Sequence, residues 1–177
     1  TTLVATLAWA MFTLYTVGGK KTGFPGNLLV SATVAIPFIY GAYVTTDTLS
    51  PLITVFASMA FLVNTGREVT KGIADMEGDR TKRIRTVALS LGERAAAYVS
   101  AVLYVGGAAL SLLPILLNIV SPYYIPVVAI ADGGFLYASV TLTKNYSKEN
   151  ARRTKTAVLL WMLLGLISFL IAGVGVR

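Results

Sequence analysis

Asp75 and Asp79 stand one helical turn apart, with only Met76, Glu77 and Gly78 between them. In a helix, two such carboxylates repel each other. A divalent cation removes that cost. One or two carboxylates, completed by water and phosphate oxygens, are the usual protein contribution to bound Mg2+. Upstream, Asn64, Arg67 and Lys71 continue the spacing of three or four, so a helix through this stretch puts an amide, two cations and two carboxylates on one face. Residues 64–79 hold half of the chain's eight acidic side chains. A solvated loop between membrane segments would account for the charge. It would not account for the ordered placement of cations, carboxylates and the flexible Gly72 and Gly78.

The segments that must position this face are apolar. Hydrophobic residues make up 55% of the chain, charged residues 13%, and the mean hydropathy is +0.72, values of a membrane protein. The chain has no Cys and no His, which excludes disulfides, thiolate and imidazole metal sites, and Ser-His-Asp hydrolysis. Carboxylates, Lys, Arg, Tyr and hydroxyls remain for chemistry. Apolar runs at 1–17, 28–44, 51–66, 95–117, 123–142 and 156–176 predict an all-α integral membrane protein, a bundle of about six transmembrane helices forming one domain over 1–177. The third run is short for a span and borrows from its flanks, and 67–94 is expected as a motif-bearing loop. The first run lacks the charged leader and cleavage site of a signal peptide.

Charge tests this topology. Every Lys and Arg except Arg177 follows the first, third or fifth run, and the alternate loops at 45–50 and 118–122 hold none. The positive-inside rule then predicts a multi-pass protein of the cell membrane with these three loops, including the motif loop, on the cytoplasmic side. Orientation accounts for most of the net charge of +7, and a nucleic-acid partner is not needed to explain it.

Arg67-Glu68-Val69-x-Lys71-x-x-x-Asp75-x-x-Gly78-Asp79, followed by Arg85-Thr86 and Leu91-Gly92, resembles the second aspartate-rich motif of the UbiA superfamily of intramembrane prenyltransferases. Within it, the Arg-Glu-Val and Asp-Met-Glu-Gly-Asp wording is most similar to the archaeal digeranylgeranylglyceryl phosphate synthases. Gly72 departs from the pattern, because the family usually has Asp after the Lys. The resemblance implies that the chain corresponds to the last six helices of a nine-helix fold. The first three spans and an Asn-Asp-x-x-Asp motif are then expected on a longer polypeptide upstream of Thr1.

The same resemblance implies metal ligation of Mg2+ by Asp75 and Asp79. Arg67 and Lys71 would neutralise a prenyl diphosphate on that side, with Asn64 adding a carbonyl ligand or a donor to phosphate; Asn64 read alone is equally an amide closing the third span. Glu68 would orient a neighbouring cation. Tyr15, with Lys20 and Lys21, matches a family span end near the diphosphate and the allylic carbon, and Thr16 matches its hydroxyl position loosely; alone, Tyr15 also fits an interfacial aromatic belt. Arg83 and Arg85 are expected to close over a phosphate, where headgroup contact is their plainer reading. Asp132, inside the fifth run beside Gly133 and Gly134, is a functional candidate by position. Gly106, Gly107, Gly165 and Gly173 are expected to allow close helix packing.

The reaction implied is transfer of a geranylgeranyl group from its diphosphate to a membrane-embedded lipid-like acceptor, geranylgeranylglyceryl phosphate, by C–O cleavage. An aromatic acceptor such as a hydroxybenzoate is the alternative within the enzyme class. A transporter fragment is the alternative outside it, and would spread polar residues along several spans instead of gathering them at span ends.

Overall fold

The structure, a computed structural model, describes residues 2–19 and 22–174. It is helical: α1 (Thr2–Val17), α2 (Phe24–Thr45), α3 (Pro51–Ala74), α4 (Met76–Thr81), α5 (Val87–Leu91), α6 (Glu93–Leu110), α7 (Leu112–Leu116), α8 (Tyr124–Lys144) and α9 (Lys148–Ala172). Three helix starts follow from side-chain caps. Ser50 accepts a hydrogen bond from the Ile53 N–H at 3.3 Å with Pro51 behind it, Thr86 from Leu89 at 3.1 Å, and Ser147 from Asn150 at 3.4 Å. Gly23 and Gly92 make the turns into α2 and α6 at φ of 78° and 86°, a region that other residues occupy at a steric cost.

Among the described residues, five helical segments are long and apolar enough to cross a membrane: α2, α3, the path of α6 and α7, α8 and α9. The sixth expected span is α1, a 16-residue apolar helix. At about 1.5 Å per residue, its described part covers roughly 24 Å of a hydrocarbon core of about 30 Å. The expected loop at 67–94 is also corrected. Helix α3 runs 24 residues to Ala74, and most of the remaining stretch is helical as well. Charge did not stop the helix because Glu68 accepts from both Arg67, at 2.9 Å, and Lys71, at 3.1 Å. Similarly, the Ser147 cap starts α9 at Lys148, within the basic segment that precedes the sixth run.

Helix α3 is the hub, packed against α2, α6 and α9, while α8 packs against α6 and α9. None of α1's residues is buried, and it packs against α2. Without a hydrophobic drive between helices in lipid, small residues and interhelical hydrogen bonds hold such a bundle together. Gly66 of α3 lies under Tyr104 of α6, where a Cβ would come to 2.9 Å from the ring and 3.1 Å from the Ser100 carbonyl. Gly107 gives Val63 the same room from the other side. Among the described residues, none comes within 4 Å of a Cβ at Gly165 or Gly173, so the expected close packing is not made between these helices there.

Polar links join the helices. Asn64 donates to Ser31 at 3.1 Å, and the Thr70 and Tyr104 hydroxyls share a hydrogen bond of 2.8 Å. At the break between α6 and α7, Ser111 donates to Asp132 at 2.5 Å while its carbonyl accepts from the Tyr124 hydroxyl at 3.0 Å.

Candidate active site

The last turns of α3 lead into Asp75, where the backbone leaves helical geometry at φ −107° and ψ 11°. Asp75 closes α3 and precedes α4, and the chain bends without losing its ladder. The Asp75 N–H still bonds the Lys71 carbonyl at 2.9 Å, and Asp79 the Asp75 carbonyl at 3.0 Å. The single continuous face expected from residue spacing is therefore corrected to two helical faces meeting at Asp75.

Around this bend lies a cavity of about 510 Å3, lined with mixed polarity by five segments of chain. Tyr15 reaches it from α1 and Asn27 from α2. The motif itself supplies Glu68, Lys71, Asp75, Glu77 and Asp79, and the following loop supplies Lys82 and Arg85. Lys148 and Arg152 enter from α9. Of the residues singled out in the sequence, Tyr15, Lys71, Asp75, Asp79 and Arg85 are thus brought together. Lys20 and Lys21 lie outside the described residues.

Other candidates stand elsewhere. Asn64 is buried, donating to Ser31 of α2, and neither lines the cavity nor ends a helix, because α3 continues ten residues beyond it. Arg67 also lies off the cavity; its Nη1 pairs with Glu68, and its Nε is buried without a partner. Arg83 is exposed at φ 54° and does not line the cavity. Thr16 bonds the Phe12 carbonyl of its own helix at 2.8 Å.

Gly72 has a structural explanation. It is buried beside the cavity, and a Cβ there would come to 3.3 Å from the Thr86 side chain that caps α5. A larger residue would push this cap outward. Neither Gly72 nor Gly78 acts as a flexible joint, since both sit within helices.

The residues that sequence reading missed come from α9. The Lys155 ammonium donates to both Asp75 oxygens, at 3.0 and 3.2 Å. Lys148 bonds Glu77, and this contact together with the lysine's charge holds the Glu77 carboxyl below its ordinary range. Lys148, Arg152 and Lys155 recur at four and three residues, so one face of α9 is cationic. That spacing was available in the sequence, although nothing in it says which helix the face meets.

Asp132 lies in neither the polar cavity nor the large apolar one. Ser111 bonds one of its oxygens, and the other is closed off from solvent with no hydrogen-bond partner among the described residues. The apolar cavity, of about 750 Å3, opens between α2, α3 and α9 and is walled by residues such as Phe38, Met59, Val63 and Phe169.

Comparison with known proteins agrees with this architecture. The UbiA prenyltransferase family matches residues 1–167. A digeranylgeranylglyceryl phosphate synthase of Archaeoglobus fulgidus is 33% identical over 153 residues, 85% of this chain and 52% of that protein. The enzyme of the same name from Thermococcus gammatolerans is 35% identical over 170 residues, 95% of this chain and 59% of that protein. A solved structure concerning a digeranylgeranylglyceryl phosphate synthase superposes with a TM-score of 0.89 at 26% identity, over 97% of this chain and 61% of that one. The chain thus spans half to three-fifths the length of these relatives. With five helices of span length and this match, it is a multi-pass membrane protein that belongs to the UbiA prenyltransferase family.

Proposed function

We propose that this chain carries the second aspartate-rich half of a site that transfers a geranylgeranyl group from its diphosphate to geranylgeranylglyceryl phosphate, in archaeal ether-lipid synthesis. The observation that carries this reading is one cavity in which Asp75 and Asp79 meet cations from three separate segments, Lys71, Arg85 and Arg152. The names of the relatives supply the substrate class. The apolar cavity of about 750 Å3 offers room for an insoluble isoprenoid chain.

The donor set suits Mg2+. Among the described residues no group of three or more His, Cys, Asp or Glu is placed to hold a metal. Two carboxylates beside cations fit an ion that keeps water and phosphate oxygens, and would not fit one caged by protein alone. Asp75 and Asp79 would hold it; when bound, it would neutralise the diphosphate and favour its departure from the allylic carbon. Lys71 and Arg85 would neutralise the charge that remains. Tyr15 lines the same cavity from α1 and, on this reading, would orient the substrate end near the reacting carbon. The Asn-Asp-x-x-Asp partner motif belongs, on this reading, to helices preceding Thr1. The basic loops would face the cytoplasm, so Lys82→Cys and Thr46→Cys should label from opposite faces of the membrane. Labelling from one face would overturn the orientation.

The test of function is prenyl transfer by the full-length protein. Asp75→Ala and Asp79→Ala should each abolish transfer and weaken Mg2+-dependent diphosphate binding with the fold retained. Normal turnover in both variants would remove the metal assignment. Transfer to a hydroxybenzoate with none to the glycerol phosphate lipid would assign an aromatic acceptor instead.

A further inference from the structure

We infer that the first two turns of α9 are an anion-binding wall of the polar cavity, with Arg152 as the residue that grips a phosphate group. This rests on the reading above, in which the cavity takes phosphate-bearing substrates. Two ion pairs fix the wall. Lys148 bonds Glu77 of α4, and Lys155 bonds both oxygens of Asp75, so contacts four residues before Arg152 and three after it tie α9 to the aspartate motif. Beside this face Ala151 and Thr154 are buried in the bundle. The backbone at Arg152 is therefore held on both sides.

Arg152 itself lines the cavity and forms no salt bridge among the described residues. Its two lysine neighbours are already neutralised by carboxylates, and its own charge remains available. A guanidinium presents a planar fork that matches two phosphate oxygens, and its charge persists at any working pH. Lys148 and Lys155 are positioning residues here; Arg152 makes the contact. Arg153, next in sequence, is exposed and stands outside the cavity, which provides an internal control.

The phosphate has two possible sources, the diphosphate of the prenyl donor and the headgroup phosphate of the acceptor. Equilibrium binding of inorganic diphosphate with Mg2+, and separately of a glycerol phosphate, to the detergent-solubilised full-length protein at fixed salt distinguishes them. Arg152→Gln is expected to weaken one of these ligands about tenfold, equivalent to about 1.4 kcal/mol, and the ligand affected names the source. Arg152→Lys, which keeps the charge and loses the fork, should lose less. Arg153→Gln should bind both as the parent does, and a common melting temperature across variants excludes misfolding as the cause. Equal losses in Arg152→Gln and Arg153→Gln would overturn the inference in favour of a diffuse surface field. So would parent-like binding of both ligands by Arg152→Gln. If the parent protein binds neither ligand, the inference and the proposed function fall together, whereas binding by the parent that Arg152→Gln leaves intact removes the inference alone.

Discussion

Two aspartates in this protein have opposite surroundings. Asp75 sits at a helix junction, 43% exposed, on the wall of a polar cavity, and its partner is a lysine from a distant helix. Asp132 sits inside α8, away from both large cavities, and its partner is a serine hydroxyl at the break between α6 and α7. A carboxylate that is partly exposed beside open space can be reached by a metal ion. Asp132 is half-buried, with one oxygen bonded by a hydroxyl and the other closed off from solvent, and it lines neither cavity. Position within an apolar run therefore says little about chemistry until the space next to the group is known, and by that measure the functional candidate is Asp75.

The largest test of this contrast replaces each carboxylate by its amide. Asp75→Asn should lower turnover by roughly 10²–10³, the scale seen when one preorganised charge-stabilising group is removed. Asp132→Asn keeps an oxygen for Ser111 and should leave turnover near the parent's. Comparable losses in steady-state transfer would make Asp132 part of the site and erase the distinction.

The next test separates packing from chemistry. Gly66→Ala should cost about 1–3 kcal/mol in an unfolding measurement, since its methyl meets the Tyr104 ring in a closed interface. Gly165→Ala, facing open space, should cost little. Equal stabilities would mean that α3 and α6 are less tightly packed than described. A smaller effect is expected at two neighbouring arginines. Arg85→Gln should raise the KM of a phosphate-bearing substrate about tenfold through one lost charge-assisted contact. Arg83→Gln, at a residue that does not line the cavity, should leave it unchanged.

The smallest effect concerns Glu77 and Lys148. Because the lysine lowers the Glu77 carboxyl below its ordinary value of 4.5, the folded protein binds fewer protons at that site than the unfolded chain does. Any stabilisation is complete above 4.5 and disappears as pH falls through the lower folded value. Melting temperatures of Glu77→Gln and the parent should differ slightly near neutral pH and converge in acid. A gap that widens in acid would reverse the sign.

The all-α fold and the local motif were legible in the sequence because both are written at short range. Apolar run lengths set the spans, and Lys71, Asp75 and Asp79 lie within nine positions of one another. The bend at Asp75 was not legible, since a spacing of three and four is equally what an unbroken helix shows. Nor was the Lys155 partner of Asp75, which stands 80 positions away and whose basic neighbours had already been explained by membrane orientation. Gly72 illustrates a third case. In the sequence it stood only as a departure from the family's usual Asp, whereas the structure gives it a neighbour, Thr86, that only proximity in space reveals.

The Ser111–Asp132 bond also has a consequence for how the chain enters the bilayer during synthesis. A lone aspartate near the centre of an inserting helix costs about 2.5–3.5 kcal/mol on translocon scales. Here the hydroxyl that meets it is made 21 residues earlier, on a segment that emerges from the ribosome first. Tyr124, which donates to the Ser111 carbonyl, emerges between the two. The α6–α8 hairpin is thus suited to leave the translocon as a pair, with the receiving hydroxyl already in place when the aspartate arrives.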